Sequence, residues 1–171
     1  AAKGHRRAIF FIENDLVVAN CHKIPQKKFL KELLTVDEIT ESLDATVELI
    51  KSINKDVTIL FTVSPVRHLK DGFIENMQSK AHLIAGIHKL TDVQKNIHYF
   101  PSYEIMMDEL RDYRFYAEDM IHPNTTAIKY IWKAFVASWF SEKTLPILKE
   151  VDAIQKGMQH KPFNTASKGY H

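Results

Sequence analysis

One cysteine, five glycines and six prolines are spread thinly over 171 residues, and each scarcity excludes something. A lone Cys21 cannot close an intrachain disulfide, which points to a reducing, cytoplasmic setting. The scattered glycines form no phosphate-cradling loop, so kinase-like, GTPase-like and dinucleotide-binding functions have no sequence support. No apolar run approaches the roughly 20 residues of a membrane span. Ala1 to Arg7 is polar and basic with no long apolar stretch behind it, so no signal peptide and no membrane partner are expected. Lys and Arg number 23 against 21 Asp and Glu, and no basic cluster outgrows short runs such as Lys27-Lys28. A nucleic-acid partner is not expected from so even a charge. Among nine histidines and one cysteine there is no H-x-x-x-H and no C-x-x-C, and His82 and His88 fall on different helix faces. Neither a metal nor another cofactor is expected.

A 45% hydrophobic fraction with 26% charged residues is that of one globular domain with a sizeable core. Residues 1–158 read as that domain and 159–171 as a polar tail. Ala8–Ile12 and Leu16–Ala19 are apolar runs around Glu13-Asn14-Asp15, the pattern of a hairpin. Thr35-x-x-Glu38 is a capping box ahead of Ile39, Leu43, Val47 and Ile50 at helical spacing, and that helix should end near Asn54. Val57–Val63 reads as a buried strand stopped by Ser64-Pro65. A helix over Ile74–Leu90 should turn Met77, Ala81 and Ile84 to one face, with Leu83, Ile87 and Leu90 beside them. Ile97–Phe100 is a short strand closed by Pro101, after which Ser102 can cap a helix through Leu110. His122-Pro123 should open a helix with Ile128, Ile131, Phe135 and Trp139 in one stripe, and Leu145–Met158 is a last amphipathic helix. Alternating strands and helices predict an α/β domain with a mostly parallel sheet, working residues lying at the carboxyl ends of its strands.

Three segments place polar groups behind apolar strands or ahead of the strongest helix: Asn20-Cys21-His22-Lys23, Ser64-Pro65-Val66-Arg67-His68 and Asp119-Met120-Ile121-His122-Pro123. In the third, a carboxylate three residues before a histidine can turn back onto the imidazole. It would then accept the Nδ1–H and leave Nε2 as a general base. The competing structural role is a turn-capping Asp119 beside a histidine that merely precedes a helix. Cys21 beside His22 could suggest a thiol nucleophile, but adjacent residues on a strand point to opposite faces, so the two would not readily pair.

Val18–Pro25, Thr62–His68, Glu75-Asn76 with Ser79-Lys80-Ala81, Tyr99–Ile105, Asp108–Tyr116 and Asp119–Pro123 together resemble, in this order, the mainly bacterial GSCFA domain family. The resemblance runs from about residue 8 to residue 140. That family is similar to SGNH (GDSL-type) hydrolases, which implies a three-layer α/β/α sandwich of flavodoxin-like topology. In SGNH enzymes a serine after the first strand attacks an ester, and an Asp-x-x-His motif supplies the base and its orienting acid. The resemblance carries these two roles onto Asp119 and His122. It also implies that Ser64, Arg67 and His68 face the active-site cleft as substrate-binding residues, with Asn20 and His22 lining the same cleft.

The Gly-Ser-Cys-Phe-Ala segment that names the family, and bears its nucleophile, has no counterpart here; no Gly-Ser dipeptide occurs in the sequence. The expectation is a C-terminal part of a longer domain, incomplete at its N-terminus, that exposes a sheet edge and favours a homodimer. The implied activity is hydrolysis of a small-molecule or carbohydrate ester, O-acetyl groups above all. These residues alone should form no acyl-enzyme, because Pro65 behind Ser64 blocks the helix start that usually supplies an oxyanion N–H. The alternative is a non-catalytic carbohydrate- or protein-binding domain of the same fold, for which the aromatic–arginine stretch Tyr103–Tyr116 would serve.

Overall fold

A computed structural model describes residues 7–11, 16–18, 25 and 28–159 of the chain, which divides into two compact units, Ala1–Ile131 and Trp132–His171. In the first unit, β1 (Arg7–Phe11) pairs antiparallel with β2 (Leu16–Val18), placing Ile9 opposite Val18 and Phe11 opposite Leu16. This is the hairpin that the two apolar runs predict. The other edge of β1 pairs antiparallel with β3 (Phe29–Leu33), from Arg7 opposite Leu33 to Phe11 opposite Phe29. With Lys31-Glu32 at its centre, β3 carries no continuous apolar run and no clean alternation to mark it as a strand.

Helix α1 (Val36–Ile53) begins at the expected capping box. The Glu38 N–H donates to Thr35 Oγ1 at 3.2 Å and the Thr35 N–H donates to Glu38 Oε2 at 2.8 Å, so two N–H groups of the first turn are satisfied reciprocally. Strand β4 (Ile59–Thr62) lies parallel to β5 (Ile97–Phe100), from Ile59 opposite Ile97 to Thr62 opposite Phe100, and α2 (Phe73–Thr91) forms the connection between them. The chain is therefore α/β, but the expected mostly parallel sheet is corrected. Among the described residues the strands form a three-stranded antiparallel sheet and a two-stranded parallel one. The physical reason is connection length. β1 and β2 are joined by too few residues for a crossover, whereas β4 and β5 have a helix between them.

The core centres on Ile39 of α1, Val63 behind β4, Leu83 and Ile87 of α2, and Tyr103, with Leu34, Leu43, Phe61, Ile84 and Tyr99 against it. Helices α1 and α2 meet closely at Gly86, where a Cβ would stand 2.9 Å from Ile39 Cγ2. The expected Leu83, Ile87 and Leu90 are buried on α2, but the expected face of Met77, Ala81 and Ile84 is not its buried one. The buried face runs Asn76, Lys80, Leu83, Ile87, Leu90, while Met77 is exposed. Two polar side chains occupy core positions, and an apolar-only pattern rotates the helix to avoid them.

Behind β5, α3 (Ser102–Glu104) widens over Ile105–Leu110 into turns with i→i+5 hydrogen bonds. They end on Arg111, whose φ of 47° is left-handed and whose N–H donates to Met106 O at 3.1 Å. Ser102 does not cap this helix. It is the first helical residue, and its buried hydroxyl lies 2.7 Å from both Val63 O and Thr62 Oγ1, stitching the carboxyl end of β4 to that of β5. Pro123 does not open the next helix either. α4 (Thr125–Trp139) is capped by Asn124, whose Oδ1 accepts the N–H groups of Thr126 and Ala127 at 3.0 and 3.1 Å. Pro123 instead forms a bridge with Tyr116.

In the second unit, Trp132, Phe135 and Phe140 form a ring cluster with centroids 5.5–5.9 Å apart. Helix α5 (Leu145–Gln159) leaves Ile147, Val151, Ile154 and Met158 exposed along one row. Among the described residues no helix is long and apolar enough to cross a membrane.

Candidate active site: an aspartate–histidine loop clamped by Arg67

Residues Asp112–Asn124 form a loop tied mostly by its own backbone. Asp112 caps the turn Tyr113–Phe115 by accepting the Arg114 N–H at 2.8 Å. Ala117 N–H donates to His122 O at 2.8 Å, Met120 N–H donates to Ala117 O at 3.0 Å, and Asn124 Nδ2 donates to Arg114 O at 2.6 Å. The chain turns back at Met120, which takes a left-handed φ of 58°. This reversal brings Asp119 onto the two residues after Met120. Asp119 Oδ1 accepts the N–H groups of Ile121 (2.9 Å) and His122 (3.0 Å), while Oδ2 lies 2.6 Å from His122 Nδ1.

These bonds decide the protonation state. The backbone N–H of His122, its ring N–H and the Ile121 N–H hold the Asp119 carboxyl down at about 2, well below its ordinary 3.8. An ionised Asp119 only accepts, so Nδ1 carries a proton, and in the neutral imidazole the lone pair is then on Nε2. The imidazole is 60% exposed, which leaves it accessible to an incoming group.

The loop is held from outside by the segment behind β4. Arg67 donates through Nη1 to Met120 O at 2.9 Å and through its backbone N–H to Ile121 O at 3.1 Å. Its guanidinium lies 5.6, 5.8 and 5.5 Å from the ring centroids of Phe73, Tyr113 and Tyr116. Burial pushes the Tyr116 phenol up, against the lowering effect of Arg67. The same arginine lines a cavity of about 280 Å³ together with Met106, Met107, Arg111, Asp112, Tyr113 and Tyr116.

The strand-end segment is itself pinned by the two polar residues of α2's buried face. Lys80, 2% exposed, donates through Nζ to Ser64 O at 2.5 Å, and its ammonium stands 5.7 Å from the Tyr103 ring centroid. Asn76 Oδ1 accepts the His68 N–H at 2.8 Å. Lys80 and Asn76 are thus part of the site's support, and sequence reasoning missed them. The available signal was their i, i+4 spacing in register with Leu83, Ile87 and Leu90.

Of the residues singled out from sequence, Asp119 and His122 meet directly, and Arg67 bonds the carbonyls of the two residues between them, Met120 and Ile121. Ser64 and His68 lie on either side of Arg67 in the same segment, and the Ser64 hydroxyl accepts the Val66 N–H at 3.2 Å. No helix starts directly behind Ser64; a single turn, Leu69–Asp71, and Gly72 precede α2. Asn20 and His22 lie outside the described residues. Among the described residues no group of three His, Cys, Asp or Glu side chains could hold a metal ion.

The arrangement defines an α/β protein whose strand-end segment clamps an exposed Asp–His pair beside a small cavity. The chain belongs to the GSCFA family, whose model matches residues 4–135 and so spans every residue of the clamp. No curated protein and no solved structure matches the chain.

Proposed function

We propose that this chain carries the acid–base part of an SGNH-type hydrolase acting on carboxylic esters, such as O-acetyl groups on a carbohydrate or other small molecule. The observation that carries the reading is the 2.6 Å contact between Asp119 Oδ2 and His122 Nδ1, with the ring exposed. His122 Nε2 takes the proton of an attacking serine hydroxyl and returns it to the leaving alkoxide. Asp119 holds the ring tautomer and stabilises the imidazolium that forms between the two steps. The serine belongs to the Gly-Ser segment that the family resemblance implies and this sequence does not contain. In this reading β4 and β5 belong to the parallel sheet of a three-layer α/β/α, flavodoxin-like domain. Ser64, Arg67 and His68 line the substrate cleft behind β4, and the resemblance adds Asn20 and His22.

A binding domain that kept the cleft without the chemistry is the second reading, favoured by the guanidinium–aromatic cluster around the cavity, which needs no nucleophile. Acetate release from p-nitrophenyl acetate and from acetylated sugars by the product of the complete gene separates the two. Turnover supports the hydrolase, and a folded protein that hydrolyses no ester in a broad panel leaves the binding domain.

A further inference from the structure

The cavity beside the Asp–His loop has a charge pattern that the acid–base reading does not use. Two of its lining residues are arginines, Arg67 and Arg111. Arg67 is half-buried, and among the described residues no carboxylate is paired with it; its guanidinium meets a backbone carbonyl and three aromatic faces. Among the described residues Arg111 has only a long, solvent-exposed 3.8 Å contact with Asp108 as an ion pair. Among the described residues the one carboxylate of the lining, Asp112, is engaged by the N–H and guanidinium of Arg114 at 2.8 and 3.1 Å. The cavity is therefore cationic, with further charge-assisted donors to offer.

Its walls are organic in character, made of the thioethers of Met106 and Met107 and the rings of Tyr113 and Tyr116. Two backbone departures shape them. The i→i+5 turns of Ile105–Leu110 carry both methionines, and the left-handed Arg111 ends those turns at the cavity. Wide helical turns and left-handed non-glycine residues are uncommon and concentrate at functional sites. At about 280 Å³ the space falls just under the roughly 300 Å³ at which clefts for drug-sized ligands begin. It suits a group about one ring in size.

We propose that this cavity binds a carboxylate-bearing ring, its carboxylate between Arg67 and Arg111 and its body against Tyr113 and Tyr116. A neutral sugar would leave the half-buried guanidinium uncompensated, and a cation would be repelled. A planar carboxylate matches the guanidinium fork, and the apolar walls add contact that an inorganic anion cannot use. The step from ligand to substrate, an ester whose sugar or acyl part carries an acid, rests on the hydrolase reading; the binding does not.

The test is titration of the 171-residue chain with D-glucuronate, D-glucose and inorganic phosphate, followed by the ring resonances of Tyr113 and Tyr116 and the side-chain Nε–H of Arg67. Glucuronate should bind at least about tenfold more tightly than either of the others. Its affinity should fall by about three- to tenfold in Arg111→Gln, an exposed residue outside the loop clamp, and should fall as salt is raised. Equal affinity for glucose, equal affinity for phosphate, or no shift with any of the three overturns the proposal on the unmodified protein alone. Neutral esters play no part in this titration. A protein that binds glucuronate selectively yet hydrolyses no ester contradicts the hydrolase reading only, and one that hydrolyses p-nitrophenyl acetate without preferring glucuronate contradicts this proposal only.

Discussion

Asp119 engages both carboxylate oxygens within three residues of itself: one accepts two backbone N–H groups and the other faces an imidazole nitrogen. Its folded pKa of about 2 lies below the ordinary 3.8, so folding favours the ionised form. The resulting stabilisation of the loop is complete above the ordinary value and is lost as pH falls from about 4 through about 2. Carboxyl ¹³C shifts should accordingly show Asp119 ionised at pH 3, and a midpoint at or above 3.8 would contradict the geometry. Asp119→Asn keeps an oxygen for the backbone but turns an N–H₂ donor toward Nδ1, which drives the ring proton onto Nε2. Ring ¹⁵N shifts should report that tautomer exchange, with the fold retained. This pair was legible in the sequence because Asp-x-x-His is local, needing only one reversal of the chain. Arg67 as the clamp was not, because its partner carbonyl stands 53 residues away and a backbone acceptor has no residue-type signature.

At the scale of elements, the unit that positions the site is β4–α2–β5. Strand β4 was readable as a β-branched, uncharged run stopped by Ser64-Pro65, β5 as a short run closed by Pro101, and α1 from its capping box. What escaped was any position where tertiary demand outweighs local preference. Lys80 and Asn76 sit on a buried helix face because the backbone groups of Ser64 and His68 need partners there. Ser102 gives up its capping role because the junction of two strand ends takes its hydroxyl. Strand β3 forms around charged residues because β1 offers a free edge. Lys80→Met keeps the buried stem but removes the donor from Ser64 O, and should cost about 1–3 kcal/mol in urea unfolding. The cost would be accompanied by shifts of the Arg67 and His122 amide resonances; a neutral effect with both unmoved would mean that Lys80 supports nothing beyond itself. Thr35→Ala, which removes half of the capping box, should cost about 1 kcal/mol and leave the His122 resonances unchanged.

For the whole molecule, the apolar row of Ile147, Val151, Ile154 and Met158 on α5 is exposed and lies at helical spacing. Such a row favours self-association, so light scattering should give a mass above that of one chain as concentration rises. A single-chain mass throughout would count against the expected homodimer. The family match ends at residue 135, so the site and its support lie inside it while α5 lies outside. In the proposed reaction His122 is the base and Asp119 its orienting acid, and that division of roles can be measured. It is tested most directly by kcat/KM for p-nitrophenyl acetate in the product of the complete gene and in its His122→Ala and Asp119→Asn variants. The parent protein should turn the ester over, and each variant should lose about 10²- to 10⁴-fold with folding intact. Turnover that survives His122→Ala undiminished would contradict that division of roles.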